Sequence, residues 1–263
     1  MKVEKYTKKS HSFNEDRFID GKLIKGVIDG ATDLSDKPSY RSRSHASKLS
    51  KILKDALEKF HGGDEKEYVE FLSRLVYSSA PELKASCGLA FTYFDGETVR
   101  LYSVGDCEIA YKLKDGTMHR FKQTDLEKLD GKALAMMVEK AKEKGISVLS
   151  ARKYINDTLR YHRSLMNTDG GYSVFAPMEN PTFRPLTLWL DADQVDEILI
   201  YTDGFAQSFT TLNILPSFES LFDISSVKDV CDQIVKVSFE DKDCNRFPRF
   251  KTVDDITVVR IKL

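Results

Sequence analysis

The order of apolar and polar positions predicts a chain that opens on strands, passes through paired helices and closes on a strand. Residues 17–20 and 23–29 read as a β-hairpin about Gly21. Ala46, Leu49, Leu53, Leu57 and Phe60 then recur at helical spacing, as do Tyr68, Phe71, Leu72, Leu75 and Val76. From Cys87 to Lys122 the pattern changes to strands. Segments 90–94 and 99–104 flank Asp95-Gly96, and 109–113 and 118–121 flank Asp115-Gly116, dipeptides that suit type I′ hairpins. Helices are expected over 126–144 and 147–165, separated by Gly145. Strands follow at 172–176, 187–190 and 197–202, then a helix over 226–239 and a closing strand over 256–261. This is not the regular alternation of a parallel βαβ fold. It describes an α+β protein with enough strands for two antiparallel sheets packed face to face. Trp189 and the strand aromatics are expected in the core.

The bulk numbers narrow the class without naming a function. A length of 263 residues suits a single domain spanning 1–263, and 41% hydrophobic with 31% charged residues is ordinary for a globular chain. A formal net charge of −1 argues against nucleic acid or an anionic membrane as a dominant partner. No secretory signal or bilayer-length apolar run is evident. Cys87, Cys107, Cys231 and Cys244 are scattered, with no Cys-x-x-Cys pair, so neither a disulfide framework nor a zinc site is expected. The expectation is a reduced, cytoplasmic monomer.

The candidate chemistry lies in aspartates. Of the seven Asp-Gly dipeptides, most read as turns: Asp20-Gly21, Asp95-Gly96, Asp115-Gly116 and Asp169-Gly170, with Asp130-Gly131 in a polar helix-forming stretch. Asp29-Gly30 and Asp203-Gly204 differ, because each ends a nearly continuous apolar run of the kind that forms a strand buried on both faces. Carboxylates held at such strand ends repel one another unless a cation binds among them. Asn14-Glu15-Asp16 and Asp254-Asp255 supply two further acidic spots at strand starts.

Taken in order, these segments resemble the PPM (type 2C) family of metal-dependent protein phosphatases. Asn14-Glu15-Asp16 is similar to its Glu-Asp element, and Val27-Ile28-Asp29-Gly30 to its first Asp-Gly. Ser103-Val104-Gly105-Asp106-Cys107 is similar to its Val-Gly-Asp-Ser, Thr202-Asp203-Gly204-Phe205 to its Ser-Asp-Gly motif, and Asp254-Asp255-Ile256-Thr257-Val258 to its closing Asp-Asn-Ile-Thr-Val. The resemblance implies a four-layer αββα sandwich with two metal ions at one end of the sheets. Asp29 would bridge both ions, Asp203 and Asp254 would ligate one, and the Gly30 carbonyl the other, with Glu15 and Asp16 nearby. Asp29, Asp203 and Asp254 are thus the expected catalytic set. All-oxygen ligands favour Mg²⁺ or Mn²⁺. Two such ions about 3.5–4 Å apart activate a bridging hydroxide for attack on phosphorus. The implied substrate is phosphoserine or phosphothreonine in a protein.

Some positions depart from the family pattern. His11 stands where an arginine usually binds the substrate phosphate, and as a phosphate ligand it would be weaker and pH-dependent. Ala31-Thr32-Asp33 replaces a His-Gly-Gly segment, which points to a bacterial-type member. A third metal site would use Asp106, but its second carboxylate position is Gln207. Residues 126–185 occupy the place of a variable flap. Within it Arg160, His162 and Arg163 read more readily as a solvated helix face than as substrate contacts, and so do Arg41, Arg43, His45 and Lys48 after the first motif. The competing readings are a catalytically weak phosphoprotein-binding module and a small-molecule phosphatase.

Overall fold

A computed structural model describes residues 1–10, 13–32 and 44–263. Its centre is an apolar layer between two five-stranded antiparallel sheets. The first sheet runs β2 (Arg17–Asp20), β3 (Ile24–Thr32), β4 (Ala85–Phe94), β5 (Thr98–Val104) and β8 (Leu186–Asp191). The second runs β1 (Lys2–Lys8), β10 (Ile256–Lys262), β9 (Val195–Tyr201), β6 (Glu108–Leu113) and β7 (Met118–Phe121). Strand side chains alternate between faces, so each central strand serves two cores. Val27, Ala90 and Leu101 meet Ile109, Ile198, Ile200 and Val259 between the sheets. Their neighbours Ile28, Leu89 and Phe91 face helices on one side, while Leu199, Tyr201 and Val258 face helices on the other. Burial on both faces explains why these strands read as continuous apolar runs.

The first sheet is covered by α1 (His45–Leu57) and α2 (Glu65–Ser79), the second by α6 (Asp203–Thr210) and α7 (Val227–Glu240). All five apolar residues of the first helical pattern are buried, from Ala46 to Phe60. The second pattern is only partly right. Val69, Leu72 and Val76 face the core, whereas Phe71 and Leu75 are exposed, because the buried stripe is narrower than the apolar one. Asp64 caps α2 through the amides of Lys66 and Glu67, and Ser226 caps α7.

Other expectations also need correction. Trp189 is 62% exposed: β8 is an edge strand, and the indole lies under the Arg100 guanidinium, 4.3 Å from its centroid, instead of in the core. Residues 172–176 form two isolated bridges, Cys87 with Phe175 and Met166 with Tyr172, and no strand. In the two Asp-Gly hairpins only the glycine takes positive φ. The aspartate instead accepts from backbone amides across its turn, so these are not type I′ turns. Asp29 lies within β3 and not at its tip, since the strand continues to Thr32.

Residues 125–164 form α3 (Asp125–Lys144), α4 (Val148–Ala151) and α5 (Asn156–Ser164), with a 3₁₀ turn between the last two where one continuous helix was expected. Gly145, at φ 61°, ends α3. This unit has its own small core, in which Ala133, Met137, Val148 and Ile155 pack with Cys244 and Phe250 of the loop before β10. That loop is fixed by Arg249, whose Nε and both terminal nitrogens donate to the Asp241 carboxylate and to the carbonyls of Phe247, Ser238, Asp241 and Thr252. With Arg249 5% exposed, Arg249→Ala strands these acceptors and is expected to lower unfolding free energy by about 3 kcal/mol. Arg249→Lys should recover little, because three donors cannot reproduce the fork. Urea denaturation checks both; an unchanged midpoint in Arg249→Ala would contradict this account.

Candidate active site

The acidic residues converge where the two sheets end together. Asp29 projects from β3, opposite Gly88 of β4 in the register. Asp106 sits on the crossing from β5 to β6, and Asp203 is the first residue of α6, directly after β9. One carboxylate oxygen of each lies within 4.8 Å of those of the other two. Glycine creates part of this room. A Cβ on Gly88 would stand 2.3 Å from the Asp106 carboxylate, and one on Gly30 would stand 2.8 Å from the Glu15 carbonyl. The close approach of strands and carboxylates therefore requires residues without side chains at both places.

A second tier of contacts holds the acidic loops. Asp16 is buried and accepts from Thr202 Oγ1 at 2.9 Å, while the same hydroxyl accepts from the Thr257 amide. Asp255 accepts from the Ser10 amide at 2.7 Å and from its hydroxyl at 2.9 Å, and from the Glu15 amide at 2.7 Å. It thereby ties the N-terminal segment to the closing strand. Asp254 accepts from Lys251 Nζ at 2.7 Å. Glu15, Gly30 and Asp254 line the same cleft of about 290 Å³ as the three central aspartates. Gln207 lines an adjoining hollow with Asp106 and Asp130. His11, with Arg41 and Arg43, lies outside the described residues.

Three contributors were not read from the sequence as functional. In the sequence Asp255 stands out only as part of the closing motif, and Lys251 carries no signal of its own. Asp130 was read as a feature of a polar helix. In fact it shares a face of α3 with Leu126 and Leu134, toward the hollow beside the acid cluster. An acid at i+4 between two leucines was the available signal.

Removal from water, and then mutual repulsion, dominate the electrostatics. Burial followed by neighbouring carboxylates pushes Asp16 and Asp29 well above the ordinary range. The same causes raise Asp106 to about 6 and Asp203 to about 7. Asp130 rises to about 6 through burial and then Asp203, against the pull of Arg163. His162 shifts the other way, lowered by burial and then by Lys132. Oxygen-only donors, close together and repelling one another, suit a hard divalent cation. The donor set thus fits Mg²⁺ or Mn²⁺.

The chain belongs to the protein phosphatase 2C family, whose model matches residues 8–237. No curated protein matches the sequence. Solved structures share the fold at low identity. The serine/threonine phosphatase PstP/Ppp of Mycobacterium tuberculosis is 14% identical, with a TM-score of 0.59, over 100% of this chain and 98% of that one. Stp1 of Staphylococcus aureus is 12% identical, with a TM-score of 0.57, over 99% and 94%. The catalytic domain of PstP in complex with two manganese ions is 15% identical, with a TM-score of 0.57, over 98% and 96%.

The raised carboxyls predict a metal-linked pH response. In the folded, metal-free chain they keep protons that an unfolded chain loses near pH 4. Their stabilisation is therefore present at low pH and lost as pH climbs toward about 7. With chelator, Tm is expected to fall from pH 5 to 7, and saturating Mn²⁺ at neutral pH should restore it, by about 2.7 kcal/mol at a hundredfold excess over Kd. A Tm that is flat with pH and indifferent to Mn²⁺, measured by scanning calorimetry, would contradict the assignment of this cluster.

Proposed function

We propose that the protein removes phosphate from phosphoserine and phosphothreonine in protein substrates in a metal-dependent reaction. The observation that carries this reading is the meeting of Asp29, Asp106 and Asp203 at the sheet ends of a protein phosphatase 2C chain. Asp29, Asp203 and Asp254 would hold two Mg²⁺ or Mn²⁺ ions, with the Gly30 carbonyl and the nearby Glu15 and Asp16 completing the set. Asp106 would serve the same cluster, and Gln207, as a neutral amide, is the weak partner of any third ion. When bound, the metal supplies positive charge for the phosphoryl group and makes water acidic enough to act as a nucleophile at neutral pH.

The chain's own residues account for the remaining requirements. Asp16, gripped by Thr202, and Asp255, gripping Ser10 and Glu15, fix the loops so that little reorganisation accompanies binding. No cysteine or histidine nucleophile is needed, and Cys87 and Cys107 are buried with thiols pushed upward by burial and then by nearby acids, which keeps them unreactive. The unit 125–164, overlapping the 126–185 flap, shapes the cleft above the acids and so would set substrate preference.

The test is hydrolysis of p-nitrophenyl phosphate and of a phosphothreonine peptide. Turnover is expected to depend on Mn²⁺ or Mg²⁺, to stop with chelator, and to drop at least a hundredfold in Asp29→Ala and Asp203→Asn. Metal-loaded protein that binds the phosphopeptide without turning it over would instead identify a binding module. Turnover of small phosphoesters alone would identify a small-molecule phosphatase.

A further inference from the structure

The three basic residues of the α5 segment separate in the structure. Arg160 is exposed and pairs with Asp157 on its own helix. His162 is 9% exposed, and its Nδ1 is buried with no partner among the described residues. Arg163, one position on, lines the acidic cleft together with His162. Its Nη1 donates to Ser86 Oγ at 3.2 Å. Ser86 is a buried residue of β4, paired in register with Ala31, two positions beyond Asp29. The guanidinium therefore stands on the flap side of the carboxylates, near enough to act on both Asp106 and Asp130. Four of its five N–H donors have no hydrogen-bond partner among the described residues.

We propose that Arg163, oriented by Ser86, binds the phosphoryl oxygens of the substrate from the flap side of the cleft. The proposal rests on the phosphatase reading and assigns part of its substrate recognition. A planar guanidinium with vacant donors matches the tetrahedral oxygens of a phosphate monoester dianion. Metal held by the aspartates would neutralise the charge that now attracts Arg163 and leave the fork available to substrate. A clamp at this place also bears on the N-terminal position, where His11 replaces the arginine expected from the family. A guanidinium does not titrate across the working range, so phosphate recognition would not depend on imidazole protonation.

The experiment compares wild type with Arg163→Ala, Arg163→Lys, Ser86→Ala and His11→Ala, each loaded with Mn²⁺. Two quantities are read: calorimetric binding of inorganic phosphate, and the KM and kcat of p-nitrophenyl phosphate between pH 6 and 8. Arg163→Ala is expected to weaken phosphate binding and raise KM at least tenfold, with a smaller change in kcat and unchanged Mn²⁺ affinity. Arg163→Lys should recover part of the loss. Ser86→Ala, which frees the fork without removing it, should give a loss of about threefold. The ratio of Arg163→Ala to wild type should be the same at every pH, whereas a His11 clamp would give a His11→Ala ratio that shrinks as pH rises through about 6–7. Unaltered phosphate affinity in Arg163→Ala overturns the proposal, and so does a parallel loss of Mn²⁺ affinity. Absence of turnover in wild type overturns the phosphatase reading instead. In that case phosphate calorimetry still decides the role of Arg163.

Discussion

Repulsion among carboxylates held away from bulk water shapes this molecule. Asp29 is held inside β3, Asp106 on the crossing from β5 to β6 and Asp203 at the start of α6, so three separate elements fix the cluster. Folding therefore concentrates like charge at one edge of the sandwich and offsets the cost with hydrophobic burial elsewhere. Each fully buried aliphatic side chain contributes about 1.5–3 kcal/mol, and dozens of them lie in the three sheet-lined cores. A divalent cation, the kind of ion this donor set fits, would turn the repulsion into attraction, so metal binding and the stability of the site would be two views of a single balance.

The supporting contacts show how that balance is held in place. Thr202 links Asp16 to the start of β10, and Asp255 links β10 to both sides of the segment around residues 10–15. Backbone and hydroxyl donors thus grip Asp16 and Asp255, while Asp29, Asp106 and Asp203 face one another. Arg163 and Lys251 come from the flap and from the loop before β10, and with Arg152 they bring positive charge to the cleft that holds the acids.

Much of this was legible in the sequence, for physical reasons. Strands buried on both faces announce themselves as apolar runs, so β3, β9 and β10 and the aspartates beside them stood out. β1 did not, because Lys-Val-Glu-Lys-Tyr-Thr-Lys is a charged edge strand with no fully buried residue, only Val3 and Tyr6 half-buried against the cores. α6 was hidden because eight residues beginning with Asp203 and Gly204 hold too few turns to show a period. Trp189 misled because aromaticity alone does not say whether a strand is central or at an edge. Ser86 and Arg163 reach the cleft through tertiary packing, which no local spacing encodes.

The separate apolar core of residues 125–164 has a consequence for how such a protein can change over evolutionary time. That unit is seated on the loop through Cys244 and Phe250, and the loop is braced by Arg249 against the end of α7. The roof of the cleft can therefore be lengthened, shortened or replaced while the floor that holds the aspartates keeps its register. On the function proposed above, selectivity and chemistry would be inherited on different parts of the scaffold, and a lineage could explore new substrates without first solving the folding problem again.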